Sequence, residues 1–150
     1  MMINESDQAI LDIDWFFTNG SEIGFIASAG GRLPASVAKS KENIEALATY
    51  FRSLPQTRNI VINPDLETKL AKRSINDNYL SDFVDMAKKG LYTFDKTILG
   101  NYSATQYHLV AKPIVSLKIE EIPSAIVEIL LQTQKVGSIE GSLNIESFSS

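Results

Sequence analysis

The sequence predicts an α+β domain: a mainly antiparallel sheet that opens with an N-terminal β-hairpin, with helices packed on one face. Three observations carry this reading. β-Favouring runs flank the dipeptide Asn19-Gly20 near the N-terminus. Apolar residues recur every three or four positions within 36–54 and again within 76–89. Strand-like runs then follow one another toward the C-terminus, separated by turns rather than helices, which favours an antiparallel sheet over a doubly wound parallel one.

The hairpin is LDIDWFFTNGSEIGFIASA, in which Asn19-Gly20 suits the positive φ values of a tight turn. Alternation in its first strand sets Ile13, Trp15 and Phe17 against Asp12, Asp14 and Phe16, so one face is apolar while the carboxylates point outward. The second strand, Ile23 to Ala29, is apolar or small throughout and suits a central position with both faces covered. After the Gly30-Gly31-Arg32-Leu33-Pro34 break, Ser40 caps a helix that runs to Leu54 and stops at Pro55. Ile44, Leu47, Ala48, Phe51 and Leu54 form its core-facing stripe, with Lys41, Glu45 and Arg52 outside. Beyond the apolar run Asn59-Ile60-Val61-Ile62, Pro64 suits the first turn of a short helix to Arg73. Another helix runs from Asn76 or Asp77 to Lys89, with Leu80, Phe83, Val84 and Ala87 on one face and Gly90 as its C-terminal stop. Strands are expected over 91–94, 106–111 and 114–119, then a helix from Pro123 to Leu131, then a last strand within 139–146.

With 150 residues, 44% of them hydrophobic and 21% charged, the chain is sized for one domain over 1–150, with 1–10 and 147–150 as the segments open to fraying. The N-terminal decapeptide carries acids and no basic region ahead of an apolar run, which argues against a secretory or transit peptide. The apolar stretch IPSAIVEILL falls short of a membrane span and contains Glu128, so a cytoplasmic protein without a membrane partner is expected.

Fourteen basic against eighteen acidic residues give a net charge of -4, which argues against a nucleic-acid partner. Residues 1–38 carry 1 basic and 5 acidic groups and residues 113–150 carry 2 and 5, whereas 39–112 carry 11 and 8, so the ends are acidic. The absence of cysteine excludes disulfides, thiolate zinc sites and cysteine nucleophiles. A single histidine disfavours histidine-based metal sites and hydrolytic triads, so neither a metal nor a cofactor is expected.

Four features bear on function. Asp12 and Asp14 share a strand face, where they can hold a cation, act as an acid/base pair, or simply be solvated. Gly30, Gly31 and Arg32 offer backbone amides and a guanidinium to an anion, although no phosphate-loop signature is present and a structural turn is the favoured explanation. His108 lies in a strand opposite Tyr107 and Leu109, a packing residue or a general base in need of an orienting carboxylate. Most of the aromatics belong to the core, but Phe16 falls beside the outward carboxylates, next after Asp14 on their face. It is therefore either an exposed anchor on a binding face or a sign that a helix covers that face.

The stretches DIDWFF, IGFIASAGGRLPASVAKSKENIEALATYF, MAKKGLYTFD and QYHLVAKPIVSLKIEEIP resemble, over residues 10–125, small cytosolic bacterial proteins of the immunity type encoded beside polymorphic toxins. The resemblance implies a non-enzymatic binder that occludes a toxin domain encoded nearby, and it brings no functional residue with it. The residues fit such a role through Asp12, Asp14 and Phe16, with carboxylates steering a basic partner. The alternative is a small-ligand or anion-binding protein, or an enzyme, that uses Gly30-Gly31-Arg32 with Asp12, Asp14 and His108.

Overall fold

The computed structural model describes residues 1–66 and 77–148. In chain order the elements are α1 (Glu5–Ile10), β1 (Asp14–Thr18), β2 (Ile23–Ala27), α2 (Ala35–Ala38), α3 (Lys41–Arg52), β3 (Ile60–Ile62), α4 (Asp77–Ala87), β4 (Tyr92–Lys96), β5 (Gln106–Pro113), α5 (Ser124–Leu130) and β6 (Leu143–Asn144). The fold is α+β, and the sheet runs β1-β2-β4-β5-β3, with β6 on the far end of β5. The helix expected from Pro64 to Arg73 lies, beyond Leu66, outside the described residues.

The sheet is mainly antiparallel, as expected, with one parallel pairing that makes it mixed. β2 and β4 pair in parallel, with Gly24 opposite Tyr92 and Ala27 opposite Asp95. The chain between them carries α2, α3, β3 and α4, and a crossover of that length returns it to the same end of the sheet. The remaining pairings are antiparallel.

Local chemistry explains most boundaries. The hairpin joins Thr18 to Ile23 through a four-residue loop, longer than a two-residue turn, in which Gly20 alone has positive φ (95°). Asn19 Oδ1 accepts from the amides of Ser21 (3.1 Å) and Glu22 (2.8 Å), so the side chain builds the turn that its backbone does not. Ser40 Oγ accepts from Asn43 N (3.1 Å) at the start of α3. Gly90, at φ 106°, ends the turn after α4.

Two expected segments differ. Residues 114–119 do not form a strand: Leu117 N donates to Gly90 O (3.0 Å) and Ile119 N to Ser21 O (2.8 Å), so the segment crosses the sheet end and bonds to a different element at each step. The first ten residues, open to fraying on sequence grounds, contain α1. Asn4 caps α1 by accepting from Asp7 N (2.8 Å), and Ile3 is buried, its amide donating to Ala38 O (2.8 Å).

Both faces of the sheet are covered. On one, α3, α4 and α5 bring Leu47, Phe51, Phe83, Met86 and Leu130 against Phe16, Ile23, Phe25 and Val110. Among the described residues the other carries no long helix. There Ile3, Leu33, Val37 of α2 and the C-terminal residues Ile139, Leu143 and Ile145 pack on Trp15, Phe17, Ile26, Phe94, Tyr107 and Leu109. Among the described residues no helix is long and apolar enough to cross a membrane.

Candidate functional site

Phe16 is 2% exposed, and its ring lies 4.8 Å from that of Phe51 and 5.6 Å from that of Phe25. It does share a face with Asp14, as alternation requires, but α3 covers that face, so Phe16 is a core residue and not a surface anchor. Of the β1 residues on that face, only Asp14, at the start of the strand, reaches solvent. There Arg52, from the last turn of α3, donates to Asp14 Oδ2 and forks onto Asp82 Oδ1 (2.9 Å) and Oδ2 (3.1 Å). Burial raises the Asp14 pKa, and repulsion from Asp82 and Asp12 adds to the rise, while the Arg52 hydrogen bond and charge pull it back. The hydrogen bonds from Arg52 to Asp82 hold the guanidinium charged more firmly than usual.

Asp12 precedes β1 and is exposed. Its Oδ1 accepts from Ala29 N (2.9 Å), steadying a turn in which Ala29 (φ 46°) and Gly30 (φ 73°) are both left-handed. Asp12 thus holds a turn and Asp14 an arginine, while the charge of Asp12 still repels that of Asp14.

The glycine turn is not an anion cradle. The amides of Gly30, Gly31 and Arg32 donate to the carbonyls of Leu11 (3.0 Å), Ser28 (2.8 Å) and Tyr102 (3.2 Å), so none of the three points at a free ligand position. Gly31 is there for close approach: a Cβ would lie 2.8 Å from both Lys96 Nζ and Tyr107 Oη. Arg32 extends to Glu146 (3.4 Å).

His108 is buried, with Nδ1 3.0 Å from Thr97 Oγ1. The pairings Asp14–Ala27, Ala27–Asp95 and Asp95–His108 put these residues in one row across four strands. At about 4.8 Å per strand, Asp14 and His108 stand roughly 14 Å apart. The constellation of Asp12, Asp14 and His108 around an anion at Arg32 is thus not assembled. Among the described residues no three His, Cys, Asp or Glu side chains are grouped to hold a metal ion.

What the structure does assemble beside Asp12 is a groove of about 310 Å³ between the N-terminal segment and α3. It is lined by Met1, Met2, Ile3, Leu11, Ile13 and Ile44 together with Asp7, Asp12, Glu45 and Lys41. Three carboxylates line it with the Lys41 ammonium, which leans on Glu45 (3.8 Å), and with the N-terminal ammonium of Met1, which Glu42 neutralises (2.6 Å), so the rim stays net acidic over an apolar floor. The sequence held a signal for this groove: Asn4 followed by Glu5 and Asp7 is a helix start, and a helix there presents Asp7 and Leu11 beside α3. No protein-family model, no curated protein and no solved structure matches this chain.

Proposed function

We propose that the chain is a non-enzymatic protein-binding domain of the immunity type, acting in the cytoplasm by occluding a cognate toxin domain encoded nearby, without a cofactor or a metal. The observation that carries this reading is the groove beside Asp12, where Asp7, Asp12 and Glu45 rim an apolar floor that includes Leu11, Ile13 and Ile44. Desolvated apolar surface supplies the anchor of a protein interface, and rim charges steer the partner in. A toxin that acts on nucleic acid presents a basic surface, and carboxylates lying where substrate phosphates would sit compete for it. Phe16 leaves the proposed face, since it is buried, and Leu11 takes its place as the exposed apolar residue next to Asp12.

The test is kinetic. The product of the adjacent reading frame is purified and its association with this chain followed against salt, for the wild type, for Asp7→Asn/Asp12→Asn/Glu45→Gln and for Leu11→Ser. Asparagine at position 12 keeps the acceptor for Ala29 N, so the turn is preserved. Wild-type association slows as salt rises, the triple variant associates slowly with little salt dependence, and Leu11→Ser dissociates faster. Failure of the neighbouring product to bind overturns the immunity reading. Binding that is indifferent to both variants overturns the groove.

A further inference from the structure

From strand β3 we infer a second interaction surface, independent of the groove: two copies of this chain pair antiparallel through Ile60-Val61-Ile62 about a two-fold axis at Val61.

The argument begins with the backbone. Among the described residues β3 is the last strand on its side of the sheet and pairs with β5 alone, Val61 opposite Lys112. Ile114 N donates to Asn59 O (2.9 Å) and Asn63 N donates to Val110 O (2.9 Å). Backbone groups that face β5 therefore belong to residues 59, 61 and 63, and alternation turns the N–H and C=O of Ile60 and Ile62 outward. Among the described residues these four groups have no backbone partner. Side chains add to the openness: Val61 is 42% and Ile62 41% exposed, and the adjoining Ile114 and Val115 are 66% and 69% exposed.

Such an edge is usually protected by a charge, a proline or a covering segment. Residues 59–63 have neither charge nor proline, and they read Asn-Ile-Val-Ile-Asn, a palindrome centred on Val61. An antiparallel two-fold on Val61 sets Ile60 opposite Ile62 of the second copy and Asn59 opposite its Asn63. The four outward groups of each copy then meet their counterparts, and the two valines form the close, non-hydrogen-bonded pair at the centre. A two-fold axis also places like charges together, and the strand has none to place. The nearest cations, Arg58 and Lys112, are already engaged by Glu121 (3.3 Å) and Glu140 (2.7 Å). The same sequence read in either direction makes a second copy the occupant that fits this edge.

Sedimentation of the full chain over a wide concentration range tests the inference, with Ile62→Pro and Val61→Lys as variants and far-UV circular dichroism as the fold check. Proline at 62 removes an outward N–H and leaves the β5 ladder its bonds, and lysine at 61 sets two ammonium groups face to face. The wild-type mass rises from 16.6 kDa toward twice that value, and each folded variant self-associates at least about tenfold more weakly. A wild type that stays monomeric throughout overturns the proposal, as does self-association unaffected in the variants. If Ile62→Pro does not fold, Val61→Lys decides, since its substituted side chain is exposed.

Discussion

The two edges of this sheet are finished differently. At the β1 edge, Thr18 is fully buried, its amide donating to Thr133 O (3.2 Å) and its carbonyl accepting from Lys135 N (3.0 Å), so the segment after α5 lies alongside as a single parallel bridge. Ser36 and Thr133 join hydroxyls at 2.6 Å and fix that segment to α2. At the β3 edge, the outward groups of Ile60 and Ile62 have no such cover among the described residues. β1 also contributes three aromatic residues in succession, two to one core and one to the other, whereas β3 is short and half-exposed. One edge is held by the interior and sealed, and the other is attached chiefly by its ladder and left available. The groove and the open edge lie on different elements, which leaves room for one chain to engage a partner and a copy of itself.

The largest expected effect breaks the sealed side from within. Phe16 packs on Phe25 and Phe51, and Phe16→Ala leaves a cavity under α3 that relaxes only in part. Urea unfolding is expected to show a loss of about 3–5 kcal/mol. A loss below about 1 kcal/mol means that β1 is not fixed by its core contacts, and the contrast with β3 falls.

The sequence showed some of this and hid some. The hairpin, α3 with its Ser40 cap, α4 with Gly90, and α5 opening at Pro123 were legible because each depends on neighbours in the chain: a turn dipeptide, a cap, an apolar stripe. The parallel pairing of β2 with β4 was not, since it is decided by where a crossover of more than sixty residues brings the chain back. Phe16 shows the same division at one residue. Alternation gave its face correctly, but whether a face meets water depends on a helix from elsewhere in the chain, and α3 covers it. The glycine turn reads as structural in both sequence and structure, but its partners were not legible: its amides bond to Leu11 and Tyr102, residues no local reading connects to it. Of the candidate site, Asp12 was legible and the groove was not, because it forms where the N-terminal segment meets α3, a contact no local pattern specifies.

A smaller effect comes from unsealing the β1 edge. Lys135→Pro removes the N–H that reaches Thr18 O and leaves that buried carbonyl without its donor. The expected loss is about 1–3 kcal/mol in thermal or urea unfolding, together with self-association that Val61→Lys does not suppress, because a second edge is now open. If the variant keeps the wild-type stability and mass, the C-terminal cover is not what seals β1.

The ends of the hairpin should titrate in opposite senses. Burial raises the Glu22 pKa, but hydrogen bonds from Tyr92 Oη (2.7 Å) and Ser116 Oγ (3.1 Å), with the charge of Lys118, outweigh it and bring the carboxyl below the usual glutamate value. The unfolded chain then binds the proton more readily, so Glu22 contributes stability above the ordinary carboxylate range that is lost as pH falls through its folded value. Asp14 has a raised pKa, so its contribution is present at low pH and is lost as pH rises through the folded value. Stability measured against pH should fall less steeply on the acid side in Glu22→Gln and more steeply in Asp14→Asn. Equal acid limbs in the two variants would show that neither carboxyl is shifted as the contacts imply.

The smallest effect is expected where the two edges differ most. Val61 is opposite Lys112 in the ladder, and its side chain is 42% exposed, so Val61→Thr keeps the β-branched shape and places the new hydroxyl where water can reach it. Stability should change by no more than about 0.5 kcal/mol, as at an ordinary surface position. The substitution adds no charge, so it should also leave self-association close to wild type while Val61→Lys weakens it, which separates charge repulsion on the two-fold from loss of the valine itself. A large destabilisation by threonine would mean that Val61 is packed against something in the folded monomer. In that case β3 is a covered edge like β1, and the difference between the two sides of the sheet disappears.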